Sequence, residues 1–183
     1  MLCKNRNVFL IGLMAVGKTT VGRLLAQELG LVFYDSDRVI EDRAGADIAW
    51  IFDVEGEQGF RDREVQVIDE LTSREGVVIA TGGGVVLREE NRRRLAERGA
   101  VVLLESPVER LIERTRNDRK RPLLRAGNPR ETLERLARER GPLYESIADL
   151  RFVADRRSAA ALTRDIAARL ACACAPDENS RHG

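Results

Sequence analysis

Residues 12–19 constrain this chain more than any other part of its sequence. They read Gly-Leu-Met-Ala-Val-Gly-Lys-Thr and fit the pattern G-x-x-x-x-G-K-[ST] of phosphate-binding loops. The apolar run 7–11 precedes the loop and a helical pattern follows it, which is the context that such a loop requires. For a chain of this composition, a chance match is expected on the order of once in a thousand sequences. The pattern therefore predicts a nucleotide-phosphate site between a strand and a helix, rather than a glycine turn beside an exposed lysine.

The glycines of this loop and the helix after it explain how the segment holds an anion. Gly12 and Gly17 allow the backbone to wrap so that successive N–H groups point inward, and the helix start adds its positive end. We expect Lys18 to neutralise the transferring phosphate and the Thr19 hydroxyl to ligate Mg²⁺. The predicted ATP contacts of this segment are Gly12, Leu13, Met14, Ala15, Val16, Gly17, Lys18, Thr19 and Thr20.

Short apolar runs alternate with helical patterns along the chain. The predicted strands are 7–11, 31–34, 77–80, 100–104 and 151–154, and the predicted helices are 18–29, 57–74, 89–98, 108–115, 130–140 and 159–171. This alternation predicts an α/β fold in three layers, because right-handed crossovers place helices on both faces of a parallel sheet. At about 150 residues per domain, the 183 residues form a single domain, with a core over about 7–170 and a polar tail, 175–183, that we expect to be disordered.

Composition excludes several classes of protein. The 31 lysines and arginines nearly balance 30 acids, and only 4% of residues are aromatic, so a nucleic-acid binder is disfavoured. No apolar run approaches the roughly 20 residues of a membrane span. Three cysteines form no disulfide framework, which favours a cytoplasmic protein. Cys172 and Cys174 could join His182 at a metal ion, but the set lacks a fourth ligand and is disfavoured.

The residues that follow the second and third predicted strands are candidates for binding a phosphate acceptor. Ligands of parallel α/β sheets bind at the carboxyl ends of the strands. Asp35 and Asp37 stand there, where one carboxylate could hold the water shell of Mg²⁺ and another could orient a hydroxyl and accept its proton. A helix cap at Ser36 or Asp37 is the competing interpretation. The glycines 82–84 after the third strand allow close backbone approach to a ligand, although three glycines could also form an ordinary loop that binds nothing.

A basic stretch stands in residues 114–122. It holds five cations and one acid, which is usually a solvated face. The functional interpretation is a mobile lid over about 114–128 that closes over the triphosphate and supplies an arginine to the transition state. Arg61 and Arg140 stand at the ends of helical segments and could equally be surface charges.

Taken together, these pieces resemble the shikimate kinase family over about residues 7–169. The matching segments, in chain order, are 12–19, 33–37, 52–61, 80–84, 119–124 and 138–144. The resemblance implies the P-loop fold of nucleoside monophosphate kinases, with five parallel strands in the order 2-3-1-4-5. It also implies transfer of the ATP γ-phosphoryl group to the 3-hydroxyl of shikimate, in the chorismate route to aromatic amino acids.

Roles on the acceptor side follow from this resemblance. Asp37 would bind the shikimate hydroxyls and serve as the candidate base, and Arg61 and Arg140 would clamp the carboxylate. The substrate-binding region would be about 35–61, and Gly82 and Gly83 would also line the pocket. Two arginines suit a planar carboxylate, because each guanidinium can donate two parallel hydrogen bonds.

The resemblance also implies roles on the nucleotide side. Arg121 would reach in from the lid and act in catalysis with Asp37 and Lys18, and Asp35 would support one Mg²⁺ per monomer through water. Arg114 and the loop around Arg157 would contact adenine. The expected partners are the small molecules shikimate and ATP, with no nucleic acid and no membrane, for a monomeric enzyme.

Two other functions are possible for such a sequence, and its phosphate loop differs from the family pattern at two positions. A gluconate kinase or nucleoside monophosphate kinase would share the fold but would not explain 82–84 together with Arg61 and Arg140. A GTP-dependent switch would need Asn-Lys-x-Asp after a strand, whereas 115–118 reads Thr-Arg-Asn-Asp after a helix. Many relatives have Gly-Ala where this chain has Ala15-Val16, so the backbone at Ala15 must suit a residue with a Cβ.

Overall fold

A computed structural model describes residues 7–115, 128–154 and 157–174. The strands are β1 (Val8–Ile11), β2 (Val32–Asp35), β3 (Val77–Ala80), β4 (Ala100–Glu105) and β5 (Leu150–Val153). The helices are α1 (Lys18–Leu29), α2 (Ser36–Ala44), α3 (Ile48–Thr72), α4 (Glu89–Arg98), α5 (Val108–Thr115), α6 (Pro129–Glu145) and α7 (Ala159–Cys174), with a 3₁₀ turn at Val85–Leu87.

The five strands form one parallel sheet in the order β2-β3-β1-β4-β5, which confirms the predicted order. β1 lies at the centre, and all four of its residues are buried, as expected for a strand covered on both faces. β2 and β5 form the edges and are partly exposed, for example at Val32 and Val153. Because all strands run in the same direction, the loops after β1, β2 and β3 meet at one edge of the sheet.

Alternate side chains of the central strands build a core on each face of the sheet. Leu10 and Val102 belong to the core that α1 and α7 cover, with Leu25 and Ile166. Their neighbours in sequence belong to the core on the other face, which α3 and α4 cover. The result is the predicted arrangement of three layers, which holds the sheet and its carboxyl edge in a fixed geometry.

The sequence pattern predicts the break within α3 but not the full length of α6. α3 is interrupted at Gly56, whose φ of 72° and ψ of 178° are not helical, so its second part begins at residue 57 as predicted. α6 continues through Pro142 to Glu145, beyond the predicted end at residue 140. The proline removes one backbone hydrogen bond, but the buried Leu136 and Tyr144 hold both parts of the helix against the core.

Some predicted features lie outside the described residues. They are most of the lid with Arg121, the residue before Arg157, and the tail 175–183. The lid and the disordered tail therefore stay predictions, as does the single domain. Among the described helices, none has the length and apolar character needed to cross a membrane.

Candidate active site

The loop between β1 and α1 has the backbone conformation that its sequence predicts. Gly12 and Gly17 have φ values of 136° and 106°, which glycine adopts without penalty. A Cβ on Gly12 would lie 2.2 Å from the carbonyl oxygen of Leu104, so a glycine is also required there by space. Gly17 caps the N-terminus of α1, whose first N–H groups add to the cradle.

Lys18 lies against this loop and is 8% exposed. Its Nζ donates hydrogen bonds to the carbonyl oxygens of Gly12, at 2.7 Å, and Leu13, at 2.8 Å. The ammonium group is thus held within the cradle that an incoming phosphate would enter.

Thr19 and Asp35 meet beside the loop. The Thr19 hydroxyl donates to Oδ2 of Asp35 over 2.6 Å, and Oδ1 of Asp35 accepts from the backbone N–H groups of Asp37 and Arg38. Asp35 therefore caps α2 with one oxygen and presents the other to Thr19. Two oxygen donors next to a phosphate cradle suit Mg²⁺, which takes few protein ligands and completes its shell with phosphate and water.

The first turn of α2 is joined to the glycine loop, which we define as residues 82–84. The backbone N–H of Gly82 donates to the buried Ser36 hydroxyl over 3.0 Å. A Cβ on Gly82 would lie 2.6 Å from Oδ1 of Asp37 and 2.9 Å from Oε1 of Glu64. Gly82 is therefore the residue type that lets two carboxyl groups approach the loop at this point.

Arg61 and Arg140 converge on the glycine loop from α3 and α6. Arg61 lies close to Gly84: a Cβ on Gly84 would be 2.2 Å from Nη2 of Arg61. Nη1 of Arg140 donates to the carbonyl oxygen of Gly83 over 3.0 Å. Tyr144 donates from its hydroxyl to the same carbonyl. The two arginines are 6% and 3% exposed, so neither is the surface charge that the sequence left open.

The acceptor side and the nucleotide side touch at Gly83. A Cβ on this residue would lie 3.2 Å from the backbone nitrogen of Met14 in the phosphate loop and 3.7 Å from Nη1 of Arg140. A group held by Arg140 would therefore lie next to a group held by the phosphate loop. This adjacency is what a direct transfer between two bound molecules requires.

The ion pairs of this pocket are formed by Arg61. Arg61 forms ion pairs with Glu64, at 2.8 Å, and with Glu57, at 3.2 Å. Burial tends to lower the pKa of Arg61, but the two carboxylates outweigh it and hold that pKa above its usual value. Burial raises the pKa of Glu64 in spite of the opposing effect of Arg61 and Arg140. Burial also raises the pKa of Tyr144 to about 12, so its hydroxyl remains a donor at neutral pH.

Several polar atoms in the pocket lack a partner. Within the described residues, the buried Nε atoms of Arg61 and Arg140 and Oε1 of Glu64 make no hydrogen bond. Buried polar groups are usually hydrogen-bonded, so unsatisfied donors on two adjacent guanidinium groups indicate a site for an anion.

A separate cavity of about 280 Å³ lies beside residues 15–17 of the phosphate loop. Its lining includes Val16, Thr20, Arg114 and Arg157, which sequence reasoning assigned to the nucleotide. Arg157 is exposed and donates to Oδ2 of Asp165 over 2.5 Å, whereas Arg114 donates to backbone carbonyls of the phosphate loop. The structure thus brings the two arginines to one cavity.

Sequence reasoning assigned no role to Glu64 or Tyr144. Each stands three or four residues after one of the two arginines in its helix, a spacing that places side chains on the same face. This spacing is the only sequence signal that links Glu64 and Tyr144 to the two arginines. It is weak, because polar residues occur at the same spacing on many solvent-exposed helices.

Comparisons with known proteins agree with this geometry. The family model described as "Shikimate kinase" matches residues 14–171. A shikimate kinase of Actinobacillus pleuropneumoniae is 60% identical over 158 residues, which cover 86% of this chain and 91% of the relative. A shikimate kinase of Vibrio cholerae is 55% identical over 165 residues, covering 90% and 95%.

Solved structures give the same result. The shikimate kinase of Acinetobacter baumannii, solved in complex with shikimate, has a TM-score of 0.90 and 46% identity, covering 92% of this chain and 94% of the other. A gluconokinase of Sinorhizobium meliloti has a TM-score of 0.58 and 19% identity over 91% of this chain and 92% of its own, a likeness of fold alone.

Proposed function

This chain belongs to the shikimate kinase family, and on that premise we propose which of its residues carry out the reaction. The enzyme transfers the γ-phosphoryl group of ATP to the 3-hydroxyl of shikimate, giving shikimate 3-phosphate and ADP. ATP and shikimate are its small-molecule substrates. The gluconate and GTP alternatives are not needed to explain any observation.

The observation that carries the assignment of residues is the convergence of Arg61 and Arg140 on the glycine loop. Both are buried, each has an Nε atom without a partner, and the ion pairs with Glu64 and Glu57 are both formed by Arg61. A planar carboxylate would accept hydrogen bonds from both guanidinium groups. We assign Arg61 and Arg140 to the carboxylate of shikimate.

Asp37 is assigned to the hydroxyl groups of shikimate and to the proton that leaves during transfer. Its carboxylate lies against Gly82, in the same glycine loop that Arg61 and Arg140 contact at Gly84 and Gly83. A carboxylate there would orient the attacking hydroxyl and accept its proton. Gly82 and Gly83 line this pocket, since their lack of side chains leaves room for the ring.

Residues 12–20 are assigned to the phosphates of ATP. The inward N–H groups would hold the phosphate oxygens, and Lys18 would offset the charge that develops on the transferring group. The cavity beside Arg114 and Arg157 is assigned to the adenine base, because it opens directly from the phosphate loop. Thr20 lies at the junction of the two.

Mg²⁺ is part of the proposal, and the oxygen atoms of Thr19 and Asp35 fit it. Their close contact puts a hydroxyl and a carboxylate at the edge of the phosphate cradle. Thr19 would ligate the ion directly and Asp35 through water. When bound, the ion neutralises charge on the β- and γ-phosphates.

The sequence-based assignment of Arg121 as a transition-state arginine, which lies outside the described residues, stays a proposal. So do the monomeric state and the location in the cytoplasm.

The test of the carboxylate site uses shikimate and an analogue in which a hydroxymethyl group replaces the carboxylate. Arg140→Met should weaken binding of shikimate by about tenfold to a hundredfold and leave binding of the analogue nearly unchanged. Arg135→Met is the matched control, because Arg135 lies on the same helix and pairs with Glu139 at the surface. ADP release and calorimetric titration provide the two measurements.

Two results would contradict the assignment. If Arg140→Met weakens both ligands equally, the arginine acts on the fold of the pocket and does not bind the carboxylate. If the unaltered enzyme phosphorylates gluconate or AMP but not shikimate, the proposed reaction itself is wrong.

A further inference from the structure

Ala15 has a backbone conformation that is unfavourable for its side chain. Its φ of 61° lies in the left-handed region, and among the residues that the structure describes no other non-glycine residue has a positive φ. The Cβ atom makes this region costly for alanine, and such residues persist only where their surroundings hold them. The neighbouring Gly17 also has a positive φ but has no Cβ. Contacts at Ala15 are therefore needed to hold the phosphate loop in shape.

Arg114 supplies contacts at this point. Its Nη1 donates to the carbonyl oxygens of Ala15, at 3.2 Å, and Val16, at 3.1 Å, although it lies 99 residues after Ala15 in the sequence. A Cβ on Gly17 would lie 3.9 Å from the same nitrogen. The guanidinium group thus lies along three consecutive residues of the loop.

The contacts of Arg114 matter because the carbonyl groups of the phosphate loop need hydrogen-bond donors. A loop that turns its N–H groups toward an anion turns carbonyl groups away from it, and those carbonyls need donors of their own. Lys18 serves the carbonyls of Gly12 and Leu13, and Arg114 serves those of Ala15 and Val16. Lys18 is also assigned to the transferring phosphate, whereas the Nη1 atom of Arg114 contacts the loop at its backbone carbonyls.

We propose that Arg114 is a positioning residue for phosphoryl transfer, which holds Ala15 and Val16 in the conformation that presents the loop N–H groups to the polyphosphate. The proposal rests on the proposed function, because it takes the loop as the site of the ATP phosphates. It differs from the adenine contact that the family resemblance implies. The edge of the guanidinium group holds the loop, while its flat face remains available to a base.

The test uses inorganic tripolyphosphate, which has the phosphates of ATP but no base. Calorimetric titration compares the unaltered enzyme with Arg114→Met, Ala15→Gly and the double variant. Arg114→Met should weaken tripolyphosphate binding about five- to tenfold, since two hydrogen bonds from a charged donor are lost at a partly exposed site. In the presence of Ala15→Gly the same change should cost about twofold or less, because glycine adopts the loop conformation unaided.

Controls and steady-state rates separate this role from others. Arg110→Met is the matched control, because Arg110 lies on the same helix and pairs with Glu113; it should leave tripolyphosphate affinity unchanged. Circular dichroism confirms that each variant is folded. In assays, Arg114→Met should raise KM for ATP, and adding Ala15→Gly should restore most of the loss.

The outcomes that overturn the proposal are distinct. Weaker ATP binding with unchanged tripolyphosphate binding would make Arg114 a contact of adenine alone. An equal loss with and without Ala15→Gly would remove the connection to the strained residue. If the unaltered enzyme binds neither ATP nor tripolyphosphate, the loop is not the nucleotide site, and the proposed function is wrong as well.

Discussion

Three charged side chains, Arg61, Glu64 and Arg140, are almost completely buried around the glycine loop. Removing a charge from water costs several kcal/mol unless partners compensate for it. The pair of Arg61 and Glu64 compensates in part, while Arg140 contacts one carbonyl and retains an unpartnered Nε. Buried arginines that keep unpartnered Nε donors are suited to a negatively charged ligand rather than to stability of the fold.

Asp37 can be tested by a change that keeps its shape. Asp37→Asn should lower turnover by roughly 10²- to 10⁴-fold and leave ATP binding nearly unchanged, because the amide cannot accept the hydroxyl proton. ADP release and nucleotide titration measure the two effects. Asp42→Asn, on the exposed side of the same helix, is the control. Near-normal turnover of Asp37→Asn would show that the residue serves α2 only, as a charge in its first turn.

Glu64 should make the stability of the enzyme depend on pH. Burial raises its pKa above the usual value of 4.5, so the protonated form is more favoured in the folded state than in the unfolded state. The stabilising contribution of that form is complete below the unfolded pKa and is lost as pH rises from about 4.5 through the raised folded pKa. Relative to Glu64→Gln, the unaltered enzyme should lose at most about 1.4 kcal/mol per pH unit in this window.

Urea unfolding of the two proteins at a series of pH values measures this difference. A free-energy difference that stays constant across the window would mean that the pKa of Glu64 is the same in the folded and unfolded states. The variant keeps the size of the side chain, so a pH-independent offset from the altered ion pair with Arg61 does not obscure the slope.

At the scale of elements, the glycine loop is the surface on which α2, α3 and α6 meet. Gly84→Ala would place a Cβ within 2.4 Å of three guanidinium atoms of Arg61, which is buried and has little room to move. We expect kcat/KM for shikimate to fall about tenfold to a hundredfold, with KM for ATP little changed. Gly141→Ala is the control, since nothing lies within 4 Å of its Cβ position and alanine favours a helix by about 0.5–1 kcal/mol.

Steady-state kinetics with each substrate varied separately give the result for these two glycines. Equal loss of affinity for ATP and shikimate in Gly84→Ala would mean that the whole edge of the sheet is disturbed. Full activity would mean that Arg61 can leave Gly84 without consequence, which contradicts its assignment to the carboxylate.

Secondary structure near the site was predictable where one pattern governed it. Helix α1 follows from apolar residues at helical spacing, and its predicted and observed bounds are the same. The break at Gly56 was predictable in the same way, since the second part of α3 begins at residue 57. α6 was predicted too short because Pro142 usually ends a helix. Burial of Tyr144 beyond the proline outweighed the local preference, and only tertiary structure provides that contribution.

At the scale of the molecule, the sequence predicted the sheet order through its resemblance to a family and the phosphate loop through its own motif. The spacing of Arg61 and Arg140 along the chain, 79 positions apart, contains no information on their distance in space. They meet because β1 and β3 are adjacent strands, which brings the phosphate loop and glycine loop to one edge, where α3 and α6 contribute one arginine each. Glu64 and Tyr144 could be recognised only after that convergence was known.

Binding at this edge should stabilise the whole domain. Shikimate at a concentration of 100 times its Kd should add about 2.7 kcal/mol to the free energy of unfolding, because it binds the folded state alone. For a domain of this size that corresponds to a rise in Tm of roughly 5–10 °C. With Arg140→Met, a hundredfold weaker affinity at the same concentration leaves only about 0.4 kcal/mol, or about 1 °C. Thermal unfolding followed by circular dichroism measures the shift, and Arg135→Met, exposed on the same helix, should keep it in full. A full shift in Arg140→Met would mean that the ligand is held elsewhere, since the linkage depends on affinity and not on the stability of the variant itself.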